Sequence, residues 1–98
     1  MIDHTVCFTL VHPADSDAER AFLESATATL AAIPGVTDFD VARQVSPMSD
    51  YRFRFAMRFA DAEAYRAYNE HPDHVAFVRD AWNSEVASFQ ELDFVPWP

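Results

Sequence analysis

The chain has 98 residues, half of them hydrophobic, including nine Phe, three Tyr and two Trp. That is core material for a single domain spanning 1–98, and it excludes a disordered tail. The net charge is −9 and all seven basic residues are Arg, so phosphate backbones and anionic lipid heads are repelled, and neither nucleic acid nor membrane is expected as a partner.

Ile2 to Val11 alternates, with Ile2, His4, Val6, Phe8 and Leu10 on one face and Asp3, Thr5, Cys7 and Thr9 on the other. A period of two rich in β-branched and aromatic residues predicts a strand, ended by His12-Pro13. Cys7 is the only cysteine, so an internal disulfide and a cysteine-based metal cluster are both excluded. Inside a strand it reads as a small hydrophobe, with a reactive thiol as the alternative.

Ser16 to Ile33 predicts a helix. Ser16 and Glu19 have capping-box spacing, and Phe22, Leu23, Ala26, Leu30 and Ile33 form one apolar stripe. Pro34 stops it, and Gly35, the only glycine, suggests a left-handed cap. Thr37 to Gln44 alternates again, with Phe39 and Val41 opposite Asp38 and Asp40. Ser46 to Asp50 is a loop. Tyr51 to Phe59 is the clearest strand, with Tyr51, Phe53, Phe55, Met57 and Phe59 on one face and Arg52, Arg54, Ala56 and Arg58 on the other.

Asp61 caps a helix reaching about Asn69. His71-Pro72 interrupts it, and Pro72 suits the first turn of a second helix reaching about Trp82. Val86 to Val95 predicts a last strand with blurred alternation; a bulge at Gln90 and Glu91 would bring Phe89, Leu92 and Phe94 onto one face. The order β-α-β-β-α-β is ferredoxin-like: an α+β fold with a four-stranded antiparallel sheet and helices on one face. The opposite face carries Thr5, Thr9, Asp38, Asp40, Arg52, Arg54 and Arg58. That polar face suits a solvated sheet; under a second sheet its Arg residues need carboxylate partners such as Asp38 and Asp40.

Four histidines are candidates for chemistry: His4, His12, His71 and His74. His4 lies on the helix side of the first strand. His74, Val78 and Trp82 form a helical stripe, and Tyr68 precedes His74 across the Pro72 break. A phenol and an imidazole facing one apolar cavity make a usable acid–base pair, the imidazole as base and the phenol as donor to an oxyanion. Each also has a structural reading: His71 as a cap or packing ring, His74 as a core histidine bonded to a backbone carbonyl, His4 as a hydrogen-bonder, Tyr68 as a packing aromatic, and His12 as a solvated loop residue. His71, His74 and His4 have ligand chemistry, but the helix break need not leave His71 and His74 on one face, so no metal is expected. With one glycine there is no phosphate loop, and no cofactor is expected.

The segments Ile2-Asp3-His4-Thr5-Val6-Cys7-Phe8, Ile33-Pro34-Gly35-Val36, Tyr51 to Asp61, Tyr68-Asn69-Glu70-His71-Pro72-Asp73-His74-Val75 and Leu92-Asp93-Phe94 resemble, in order and spacing, the stress-responsive dimeric α/β-barrel (Dabb) family. The resemblance implies a homodimer with two sheets face to face, and in each subunit a cavity between sheet and helices. The family includes a plant polyketide cyclase that works without cofactor. Its catalytic Tyr and His match Tyr68 and His74, and a strand-one His matches His4. A hydroxynitrile lyase with this fold is also known. Where the cyclase has a further active-site His on its third strand, Phe53 stands here.

The function expected is therefore a small-molecule-binding homodimer whose apolar pocket involves Phe8, Phe22, Tyr51, Phe53, Phe55, His71, Phe77 and Trp82. The alternative is a cofactor-independent cyclase, lyase or isomerase using His74, Tyr68 and His4. The ligand expected for such a pocket is a small apolar or aromatic compound. With no apolar run near the ~20 residues of a membrane span and no signal-peptide pattern, the expected location is cytoplasmic.

Overall fold

Phe53, Phe55, Met57 and Phe59 are all buried and mark the inner face of β3 (Phe53–Phe59). The computed structural model describes all 98 residues. Around β3 the chain forms β1 (Ile2–Leu10), α1 (Asp17–Leu30), β2 (Thr37–Arg43), α2 (Ala62–Glu70), α3 (Pro72–Phe77), a π-helical turn (Val78–Trp82), α4 (Asn83–Glu85) and β4 (Val86–Phe94). The strands form one sheet in the order β2-β3-β1-β4, with every neighbouring pair antiparallel. No helix is long and apolar enough to cross a membrane.

The helices lie on one face. Phe22, Ala26 and Leu30 of α1, Tyr68 of α2 and Phe77 of α3 are buried against Val6, Phe8 and the inner residues of β3. Each fully buried Phe contributes roughly 1.5–3 kcal/mol of transfer free energy, and Phe8 and Phe59 have no exposed surface. The local signals hold the ends of the elements. Ser16 Oγ accepts from the Glu19 N–H, and Asp61 Oδ1 accepts from the Ala64 N–H. The Glu19 carboxylate accepts from the Asp15 N–H and pairs with Arg52 at 2.9 Å, which holds its carboxyl below the usual range.

Several expectations need correction. α1 ends at Leu30, and Gly35 serves a later turn. The Val36 N–H bonds the Ile33 carbonyl, with Pro34 and Gly35 (φ +91°) between them. That is type II turn geometry, whose third position requires positive φ. Arg52 leaves the polar sheet face, because it precedes β3 and turns its guanidinium to Glu19 over the Phe53 ring. His12 is half-buried and Nε2 lies 2.7 Å from the Glu85 carboxylate, so it ties the end of β1 to α4.

The largest correction concerns β4. Its pairing with β1 is continuous from Asp3↔Phe94 to Thr9↔Ser88, and the one register shift falls between Thr9 and Leu10. Without a bulge at Gln90 and Glu91, strict alternation turns Phe89, Glu91 and Asp93 towards the helices, opposite Phe8, Val6 and His4. Leu92 and Phe94 fall on the open face, paired with Thr5 and Asp3. There the charges are matched: Arg54 with Asp40 at 2.5 Å, and Arg58 with Asp3 at 2.7 Å. Cys7 is half-buried on this same face.

Candidate active site

Between the sheet and the segment running from α2 to α4 lies a cavity of about 260 Å³. Its floor is Val6, Phe55 and Met57; its roof includes Phe77, Val78 and Trp82. The π-helical turn shapes that roof. The Asn83 N–H bonds the Val78 carbonyl five residues back, so Val78, Trp82 and Asn83 all reach the cavity wall.

His4, Tyr68 and His74 converge on this space. The Tyr68 ring centre is 4.5 Å from that of His74 and 6.2 Å from that of His4. β1 brings His4 and α2 brings Tyr68. α3 brings His74, restarted by the His71 cap, whose Nδ1 accepts from the Asp73 N–H at 3.1 Å.

The histidine tautomers follow from their partners. His74 Nδ1 lies 3.1 Å from the Asn69 carbonyl oxygen, and a carbonyl only accepts, so Nδ1 carries the proton. The neutral ring therefore presents the Nε2 lone pair. Burial, set against the Asn69 carbonyl, lowers the His74 pKa below its usual value. His4 Nδ1 lies 2.6 Å from Asp93 Oδ1, an acceptor-only carboxylate, so here too Nδ1 is the donor and Nε2 remains.

Tyr68 is 2% exposed, and its hydroxyl has no hydrogen-bond partner in the protein. It is nevertheless not sealed away, since Arg54 Nε is the one fully enclosed side-chain polar atom without a partner. The hydroxyl opens into the cavity. Burial, then the charge of Glu91, pushes its pKa up, so it stays a protonated donor.

The sequence reading missed a second tier of residues. The Tyr65 hydroxyl donates to Glu91 at 2.7 Å or Asp93 at 2.9 Å and stands 2.8 Å from His4 Nδ1. Burial and both carboxylates raise its pKa. The signals were present. Tyr65 is three residues before Tyr68 and so shares its helix face, and unbroken alternation from Phe89 aims Glu91 and Asp93 inward.

His4, Glu91 and Asp93 bring three ligand atoms within 4.8 Å of one another, but the Tyr65 hydroxyl sits among them where an ion would have to bind. His71 is occupied at its helix cap, outside the cavity wall.

Of the aromatic residues expected at the pocket, Phe55, Phe77 and Trp82 line it. Phe8, Phe22 and Phe53 do not; they pack on one another beside it, Phe8 at 6.1 Å from Phe22 and 5.9 Å from Phe53. Tyr51 precedes β3 and stays outside the wall. Asn69, Asn83, Phe89 and Glu91 are among the wall positions not foreseen from sequence.

The same fold occurs in known structures. A Dabb-family protein with a ferredoxin-like fold from Mesorhizobium loti is 56% identical, with a TM-score of 0.98 over 99% of this chain and 97% of its own. A dimeric ferredoxin-like protein of unknown function from Thermobifida fusca is 21% identical, with a TM-score of 0.77 over 97% of this chain and 90% of its own. A hydroxynitrile lyase from Passiflora edulis is 10% identical, with a TM-score of 0.82 over 99% of this chain and 96% of its own. The last two share the fold alone. Among curated proteins there is no significant match. The profile of the stress-responsive A/B barrel domain (Dabb) matches residues 2–96, and the chain accordingly belongs to that family.

Proposed function

We propose that this protein is a homodimeric small-molecule barrel whose cavity carries out cofactor-independent acid–base chemistry on a carbonyl compound, of the lyase, isomerase or cyclase type. The observation that carries the reading is the buried Tyr68 hydroxyl. It has no partner in the protein and faces a largely apolar cavity beside His74. Because the hydroxyl opens into the cavity and is bound to nothing in the protein, it is free to donate to a ligand oxygen.

In the cycle so supported, a ligand carbonyl accepts from the Tyr68 O–H. His74 Nε2 then takes the proton from the adjacent carbon. Negative charge builds on the carbonyl oxygen, where the Tyr68 hydrogen bond strengthens. The His74 Nδ1–H bond to Asn69 keeps the lone pair on Nε2 until it takes the proton, and holds the ring in place while Nε2 returns it. His4 Nε2 is the second group able to carry a proton, steadied by Asp93. The Passiflora lyase adds only a likeness of fold. Dimerisation is supported by the dimeric Thermobifida relative and by Leu92 and Phe94, 41% and 51% exposed on the open sheet face.

The test is deuterium uptake from D₂O at the carbon beside the carbonyl of small aryl ketones, starting with 4-hydroxyacetophenone. The wild-type protein should exceed the buffer rate, and Tyr68→Phe and His74→Ala should each lower uptake by about 10²-fold. Binding of the ketone with uptake at the buffer rate would replace this reading with a carrier that does no chemistry.

A further inference from the structure

The cavity wall contains no Arg, and Lys is absent from the whole chain. A carboxylate, phosphate or thioester-linked nucleotide tail would therefore find no cation in the wall. It would instead meet Glu91, the one charged wall residue, 3.6 Å from His4 Nδ1, within a chain of net charge −9. Like-charge contact is a strong means of rejection, and the field of the whole chain acts in the same direction.

The hydrogen-bonding inventory points to what is accepted. The donors are neutral: the Tyr68 hydroxyl, with the Asn69 and Asn83 side-chain amides and the Trp82 indole N–H in the wall, suited to a carbonyl. Glu91 and the Nε2 atoms of His4 and His74 offer acceptors, suited to hydroxyl protons. The size is bounded too. An apolar cavity of ~150 Å³ holds benzene, and drug-sized ligands need about 300 Å³ or more, so about 260 Å³ fits one substituted ring.

We infer that the substrate is an uncharged single-ring compound bearing both a carbonyl and a hydroxyl group, and that Glu91 excludes the corresponding carboxylic acids. This rests on the proposed use of the cavity and adds its selectivity.

The experiment compares 4-hydroxyacetophenone with 4-hydroxybenzoate, which share ring and hydroxyl and differ by a methyl ketone against a carboxylate. Both are titrated into the intact wild-type protein at pH 7.5 by calorimetry, with the His74 and Tyr68 resonances followed by NMR. The ketone should bind at least about 10-fold more tightly than the benzoate and shift both resonances. Glu91→Gln, which keeps an acceptor for the Tyr65 hydroxyl, should narrow the gap to about 3-fold or less by strengthening benzoate binding.

Equal or tighter benzoate binding by the wild type overturns the inference whatever the variant does. So does failure of both compounds to bind, or an unchanged gap in a folded Glu91→Gln protein. No turnover enters this measurement. A protein that discriminates between the two but catalyses no deuterium uptake would leave the selectivity standing and remove only the acid–base reading.

Discussion

His4 and Asp93 face each other across the β1–β4 ladder with Nδ1 2.6 Å from Oδ1, joined although 89 positions apart in the chain. The carboxylate can only accept, so it keeps the His4 proton on the side away from the cavity. Asp93→Asn replaces it with an amide able to present either an acceptor or a donor. The variant should mix the two neutral tautomers of His4, visible as averaged ring nitrogen shifts by NMR. Stability should fall by about 1 kcal/mol, at the low end for a charged hydrogen bond because Asp93 is partly exposed. A single unaltered tautomer in the variant would mean that Asp93 does not orient the ring.

Tyr68 separates activity from stability. Its hydroxyl bonds nothing in the protein, so Tyr68→Phe removes no internal hydrogen bond while keeping the ring against Phe59 and His74. Chemical denaturation should place the variant within about 0.5 kcal/mol of wild type, or above it. The same variant should lose about 10²-fold in ketone deuterium uptake. A loss of several kcal/mol in stability would show that the hydroxyl is structural.

Acidification should weaken the fold in two stages. The His74 pKa in the fold lies below its usual 6.5 because of burial, so below pH 6.5 the unfolded chain binds the proton first and stability declines until the folded value is passed. Arg52 holds the Glu19 carboxyl below its usual 4.5, so that contribution is present above pH 4.5 and disappears as the pH drops through the folded value. Urea titrations from pH 7.5 to 3.5 should show both declines. His74→Ala should remove the upper one and Glu19→Gln the lower. Deuterium uptake should fall on the acid side at a midpoint below 6.5.

The open sheet face should hold two copies together. Sedimentation at micromolar concentration should give twice the 11.1 kDa chain mass. Leu92→Glu places a carboxylate beside Thr5 and Asp3 on that face and should shift the protein towards a single chain, with about 10-fold weaker association or more. A wild-type protein that sediments only as one chain would defeat the dimer.

Much of this was readable because its causes are local. The alternation of Phe53 to Phe59, the spacing of Ser16 to Glu19 and the Asp61 cap each act within a few residues, and each appears in the fold. So does the His74, Val78, Trp82 stripe, whose members all reach the cavity. The family resemblance added the convergence of His4 with Tyr68 and His74. β4 was harder to read: Glu91 and Asp93 look like surface charges in a strand, and an assumed bulge was a local way to bury Leu92 and Phe94. The ladder with β1 decided otherwise.

The sequence by itself determined the elements, their order, the apolar inner faces and the residue types able to move protons. Those follow from periodicity, caps and side-chain chemistry. Only the tertiary structure decided which residues share the cavity. Phe8, Phe22 and Phe53 were indistinguishable from Phe55 by pattern, yet they pack on one another in the core, while the cavity opens beside them beneath the π-helical turn. The tertiary structure also set the tautomers of His4 and His74 and the arrangement of Tyr65, Glu91 and Asp93 around them. Hydrogen bonds between residues tens of positions apart have no periodicity for a sequence to display; they exist only once strand register has brought the atoms within reach.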